Sequence, residues 1–159
     1  MDYIYIGDIV NTHGIKGEVK IVSNFKFKSS IFIKNINFYV GDSKKKFVVN
    51  SYRKHKIFDM VTFDGINDIN DILPYKGDAV YIDRNEIKFD GILNEDLINM
   101  DVYSNDVFLG KVIEILNNGI YDILVVGHNR SLIPNIPEFI LSVRLGNHLM
   151  IISISVIVI

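Results

Sequence analysis

The chain of 159 residues contains no cysteine and no tryptophan, only three prolines, and a single alanine, Ala79. Without cysteine there is no disulfide framework, no thiolate metal site and no cysteine nucleophile, which suits a reducing compartment. No apolar run is long enough for a membrane helix. The longest, residues 149–159, falls short of the roughly 20 residues such a span needs, and Ser153 and Ser155 interrupt it. The opening MDYIYIGDIV begins with an acid and lacks the basic stretch and small-residue cleavage site of a signal peptide. A soluble, cytoplasmic protein is therefore expected.

Catalytic signatures are missing as well. There is no glycine-rich phosphate loop, no GxSxG elbow and no HExxH pair. His13, His55, His128 and His148 lie far apart, without metal-ligand spacing. Acid pairs such as Asp68 with Asp71, or Asp101 with Asp106, fall in turn-rich segments where water levels their acidities. Neither an enzyme nor a cofactor nor a metal is expected.

What is abundant is β-branched. The chain holds 28 Ile and 16 Val against 10 Leu, and such side chains lose χ1 freedom in a helix but pack well on a pleated sheet. An all-β fold follows, with one or two short helices. The least bland passage is GDIVNTHGIKGEVKIV, residues 7–22, in which two β-patterned runs flank a reversal at residues 12–17. Gly14 and Gly17 tolerate the positive φ such a turn requires, and the turn would present His13, Ile15 and Lys16 outward.

Charge is unevenly spread. From residue 9 to 56 there are eleven basic side chains against Glu18 and Asp42; from 57 to 86, seven acids against Lys76 and Arg84; beyond 86, eight acids against four bases. The basic half either solvates exposed strand faces or meets nucleic acid, and the acidic half fits a basic protein.

In chain order, residues 23–34 interleave Phe25, Phe27, Ile31, Phe32 and Ile33 with Lys26, Lys28 and Lys34. That pattern fits a half-buried strand better than a single-strand nucleic-acid platform. Strands follow at residues 37–41, 46–54 and 57–64, with the basic YRKHK segment joining the last two. Asn67 or Asp68 caps a short helix carrying Ile69, Ile72 and Leu73 and ended by Pro74, and residues 77–83 form a closing strand. Residues 84–96 lack periodicity and mark a boundary, giving modules at residues 1–86 and 97–159 with a linker at 87–96. The second module reads as strands in DLINMDVYS, then at residues 107–116 with a bend at Gly110, then at 121–126, 131–133, 140–145 and 149–156. The proline corner LIPNIPEFI interrupts them, Pro134 stopping a ladder and Pro137 starting a short helix. So apolar a final strand is expected to be buried and to close a barrel, with slow amide exchange along residues 150–156.

Three passages, in order, resemble the ribosome maturation factor RimM family: HGIKGEVKIV; then YRKHKIFDMVTFDGINDINDILPYKGDAVYIDRNEI; then DLINMDVY, FLGKVIEIL, DILVV and LIPNIPEF. The resemblance implies two consecutive small β-barrels, a six-stranded one like those of translation factors and a PRC-type one. It also implies a non-enzymatic factor for late assembly of the head of the small ribosomal subunit and for rRNA processing. Its partners would be a small-subunit head ribosomal protein of the uS19 type, met by the C-terminal region, and rRNA near the N-terminal barrel. Carried onto this chain, the rRNA or ribosome contacts would be His13, Gly14, Lys16, Gly17, Lys20, Arg53, Lys54, His55 and Lys56. The partner contacts would be Ile92, Leu93, Asp96, Pro134 and Pro137. Ile92 and Leu93 stand where the family usually has two adjacent tyrosines, Asn99 replaces a usual glycine, and the tail ISVIVI lacks the family's glycine-containing ending. From the residues alone, two alternatives stay open: an rRNA-binding module without a protein partner, and a small split-barrel flavin-binding oxidoreductase.

Overall fold

Alternation builds the first unit. Strand β1 (Tyr3–His13) turns Ile4, Ile6 and Ile9 inward and leaves Tyr5 and His13 exposed, the period of two expected of a half-buried strand. It pairs on one side with β2 (Glu18–Val22) and on the other with β6 (Ala79–Asp83). With β3 (Asn37–Val40), β4 (Lys45–His55) and β5 (Phe58–Phe63) the strands close into a barrel in the order β1-β2-β5-β4-β3-β6. Register shifts between Ile9 and Asn11, between Tyr5 and Gly7 and between Val49 and Ser51 bend the strands, as closing so small a barrel requires. The structure is a computed structural model describing residues 1–152. These fall into two compact units, Met1–Asp90 and the residues from Gly91 onward.

Phe38, Phe63, Ile6, Ile9, Ile21 and Ile82 fill the barrel. After the barrel strand β5 comes α2 (Ile69–Ile72), which buries Ile72 as the earlier α1 (Lys28–Ile31) buries Ile31. Asp68 caps α2 by accepting a 2.7 Å hydrogen bond from the Asn70 amide. A 3-10 turn, Leu73–Tyr75, then carries Pro74.

The strand expected over residues 23–34 does not form. After β2 the Ser23 hydroxyl donates to the Ile6 carbonyl and accepts from the Phe25 amide at 3.1 Å, which turns the chain out of the ladder. Phe25 and Phe27 then pack edge-on or tilted against Phe89 at 5.6–5.7 Å. The core residues are the adjacent pair Ile31 and Phe32, a spacing that a one-turn helix satisfies and an alternating strand does not.

In the second unit α3 (Asn94–Leu97) precedes β7 (Asp101–Ser104), β8 (Val107–Asn117), β9 (Asp122–Val126), β10 (Ser131–Pro134), β11 (Ile140–Arg144) and β12 (Leu149–Ile152). They form a six-stranded sheet in the order β10-β9-β8-β7-β12-β11. Its core holds Leu97, Met100, Val102, Val112, Leu124, Val126, Ile133, Met150 and Ile152. The first half of β8 pairs with β7 and its second half with β9, so this one strand carries the sheet around the core.

Two expectations change here, at DLINMDVYS and at Pro137. DLINMDVYS is a strand only from Asp101, because Asp96 accepts from the Leu93 amide at the start of α3 and Asn99 takes a left-handed φ of 67°. Pro137 opens a hydrogen-bonded turn rather than a helix, the Phe139 and Ile140 amides both donating to the Ile136 carbonyl at 3.0 Å. Pro134 ends β10, an outermost strand where a missing donor is tolerated. The last strand lies between β7 and β11, parallel to the former. Residues 153–156 of that expectation lie outside the described residues.

The bend expected at Gly110 has a steric cause. A Cβ there would stand 2.5 Å from the Gly127 Cα, and its φ is +130°. Gly110→Ala is expected to cost about 2 kcal/mol in urea denaturation, as overpacking against backbone does. Gly146→Ala, facing open space, should change stability by less than about 0.5 kcal/mol.

Candidate functional site

Cross-strand partners share a face of a sheet, and four strands of the first barrel assemble one outer face in this way. His13 pairs with Glu18, while Lys20 and Arg53 both pair with Met60. Phe58, which pairs with His55, lies two residues from Met60 on the same side. The Arg53 guanidinium grips the Glu18 carboxylate with Nε at 3.0 Å and Nη2 at 2.7 Å, the bidentate geometry that fixes a guanidinium plane. That hydrogen bond holds the Glu18 carboxyl below its ordinary range. The rings of His13 and His55 come within 6.4 Å, and the Lys20 ammonium sits 5.0 Å from the Phe58 ring centre. Met60 forms the floor, fully buried although it points away from the barrel interior.

The structure thus brings His13, Lys20, Arg53 and His55 together. Gly14 and Lys16 lie exposed in the β1–β2 turn, and Lys56 lies in the two-residue turn between β4 and β5 beside Ile57, which is 71% exposed. Gly17 is different. It is buried, and a Cβ would meet the Ile66 side chain at 2.8 Å, so its role is to let the turn pack down.

Lys54 also departs from the outer face. The carboxylate of Asp59, fully buried, accepts from the Lys28 ammonium at 2.7 Å, the Tyr52 hydroxyl at 2.8 Å and the Lys54 ammonium at 3.2 Å. Burial opposes ionisation of Asp59, but these three donors outweigh it and hold the carboxyl below its ordinary value. Burial, and then the bond to Asp59, push the Tyr52 hydroxyl up to about 12, and its ring stacks on Phe32 at 5.2 Å. Sequence spacing could not reveal Lys28 and Asp59 as partners, because they are brought together only when the barrel closes.

In the second unit Ile92 packs against the core and Leu93 is 2% exposed, so neither presents a full side chain to the surface. Asp96 accepts from the Leu93 amide at 3.3 Å. Pro134 is half-buried and Pro137 exposed. The register places Pro134 level with Ile123 and Leu116, and Leu132 level with Val125 and Glu114, on the side of the sheet away from Ile133 and Leu124. Leu132 is 56% and Leu116 39% exposed, and Ile120 in the preceding turn is 86% exposed. The run VFLGKVIEIL carried the signal for this apolar face, since it is apolar at both odd and even positions. Among the described residues no cluster of three or more His, Asp or Glu side chains could hold a metal, and no helix is long and apolar enough to cross a membrane.

Comparison with known proteins agrees in one direction. Residues 4–87 match the family described as the RimM N-terminal domain. The chain is 39% identical to the ribosome maturation factor RimM of Staphylococcus haemolyticus over 154 residues, 91% of each chain. It is 37% identical to that of Streptococcus mutans over 157 residues, 92% of this chain and 91% of the other. A crystal structure of a 16S ribosomal RNA processing protein RimM from Pseudomonas aeruginosa aligns at 22% identity and a TM-score of 0.45, covering 96% of this chain and 97% of that one.

The Asp59 cluster generates a pH prediction. Because the folded carboxyl titrates below its ordinary value of 3.8, its stabilisation is complete above that value and disappears as pH falls through the folded one. Asp59→Asn is expected to cost about 2 kcal/mol near neutrality. In urea melts at successive pH values, the gap between wild type and variant should stay constant above about pH 5 and shrink below it.

Proposed function

We propose a function that starts from a fact of kinship: this chain belongs to the RimM family. It is a ribosome maturation factor. Its finer role, in our reading, is to assist late assembly of the head of the small subunit and the accompanying rRNA processing, in the cytoplasm and without catalysing a reaction. The first module, residues 1–86, approaches rRNA, and the second, residues 97–159, engages a head protein of the uS19 type across the linker at 87–96.

The observation that carries the rRNA half is the outer face of β1, β2, β5 and β4. Phosphate contacts need cations that are not already neutralised. Arg53 is held by Glu18 and Lys54 by Asp59, so the attraction rests on Lys16, Lys20 and Lys56, with His13 and His55 as adjacent donors. The Glu18–Arg53 pair orients the face rather than charging it. The protein half is supported by the acidic balance beyond residue 86 and by the apolar surface of Leu116, Ile120, Leu132 and Pro134 beside exposed Pro137. An apolar centre with charged side chains at its rim, here the Glu114–Arg130 pair beside Leu132, is the usual composition of an interface. Ile92, Leu93 and Asp96 then act by shaping the segment that enters this module.

Two measurements check the halves separately. Binding of the full chain to a small-subunit rRNA fragment should weaken with salt, and Lys20→Met or Lys56→Met should each lower the slope of log K against log salt by about 0.7–0.9. Lys54→Met should lower it less. Affinity capture from bacterial lysate should retain a small-subunit head protein after nuclease treatment, and Leu132→Asp should release it. Loss of all ribosomal protein with the RNA would leave an rRNA-binding module without a protein partner.

A further inference from the structure

A second face of the first barrel has a different chemistry. Tyr5 of β1 pairs with Tyr81 of β6, which pairs in turn with Tyr39 of β3, so three tyrosines form one rung across three adjacent strands, with Tyr39 its buried end, Tyr81 half-buried and Tyr5 exposed. Tyr3, two residues from Tyr5, stands on the same side. Its ring lies 5.1 Å from that of Tyr39 and 6.5 Å from that of Tyr81, and Tyr5 lies 6.0 Å from Tyr81, all edge to face. The hydroxyls at the two ends of the rung are tied to carboxylates, Tyr5 to Asp8 and Tyr39 to Glu86.

One cation already sits there. The Lys44 ammonium lies 4.2 Å from the centre of the Tyr81 ring and 5.8 Å from that of Tyr3. It donates a long, 3.3 Å hydrogen bond to the Gly41 carbonyl, and among the described residues no carboxylate pairs with it. The ring faces are therefore its main partners, and the turn that carries it holds Lys44 at a left-handed φ of 54°.

We propose that this tyrosine rung is a docking surface for an arginine-rich basic peptide segment, with Lys44 occupying the site in the free protein. A guanidinium stacks on a tyrosine ring more readily than an ammonium because it is planar and less strongly hydrated. The Asp8 and Glu86 carboxylates at the ends of the rung supply the complementary charge. Tyr5, 52% exposed, extends the aromatic surface outward. This surface is distinct from the outer face of β1, β2, β5 and β4 and stands or falls independently of it.

The sign of one substitution separates a basic peptide from RNA. The full-length protein is titrated with a labelled peptide of alternating arginine and glycine and, in parallel, with a labelled oligouridylate, and binding is followed by fluorescence anisotropy. Lys44→Asn vacates the ring faces and should tighten peptide binding, whereas removing a cation from an RNA surface would weaken oligouridylate binding. Tyr81→Ala should weaken the peptide about fivefold, and Tyr81→Phe should preserve it, since the ring and not the hydroxyl faces the cation. Lys44 is a half-buried turn residue outside the core, and asparagine tolerates its left-handed φ of 54°, so Lys44→Asn serves if Tyr81→Ala fails to fold. No peptide binding by the wild type, or unchanged or weaker peptide binding by Lys44→Asn, overturns the proposal. So does a Tyr81→Ala effect confined to oligouridylate.

Discussion

The structure of the first unit depends on β1 being paired along both edges. A strand bonded on one side can slip by a residue and turn its core face to water. Bonded to β2 and β6 together, β1 can slip only if the whole barrel unzips. Its register therefore fixes the face of every residue on five other strands. Both chemical surfaces described above follow from that constraint: on one side Lys20 and Arg53 share a rung, with His13 beside Glu18 further along β1 and β2, and on the other Tyr5, Tyr81 and the buried Tyr39 share another.

Electrostatics then sorts the cations that the closed barrel displays. Asp59 draws Lys28 and Lys54 together, and its single buried carboxylate offsets one of their two charges. Glu18 restrains Arg53, and the tyrosines take Lys44. A basic sequence segment thus yields a much smaller set of available charges. Counting lysines in the chain overstates the attraction for a polyanion, and the unpaired ones decide it.

Much of this was legible in the sequence, for stated physical reasons. The Ile and Val excess fixed the fold class, the Gly14 and Gly17 spacing located the first reversal, and Asn67 and Asp68 together announced a cap for α2, which Asp68 supplies. The RimM resemblance pointed to the two-barrel plan. What alternation could not show was where it stops applying. Residues 23–34 alternate well enough for a strand, yet the Ser23 hydroxyl and the Phe25–Phe27–Phe89 cluster divert them. The site residues were found as kinds, basic and near turns, but not as partners. That Lys54 faces Asp59 while Arg53 faces Glu18 depends on which side of β4 each occupies. The tyrosine rung was invisible because Tyr5, Tyr39 and Tyr81 are separated by more than thirty residues at each step.

The most direct test of the account is amide chemical-shift mapping of the isotopically labelled full chain titrated with a small-subunit rRNA fragment. The account predicts shifts concentrated on β1, β2, β5 and β4, at Lys16, Lys20, Arg53, His55 and Lys56, with the amides of Tyr39 and Tyr81 unmoved. Shifts centred on the tyrosine rung, or confined to the second unit, would contradict it.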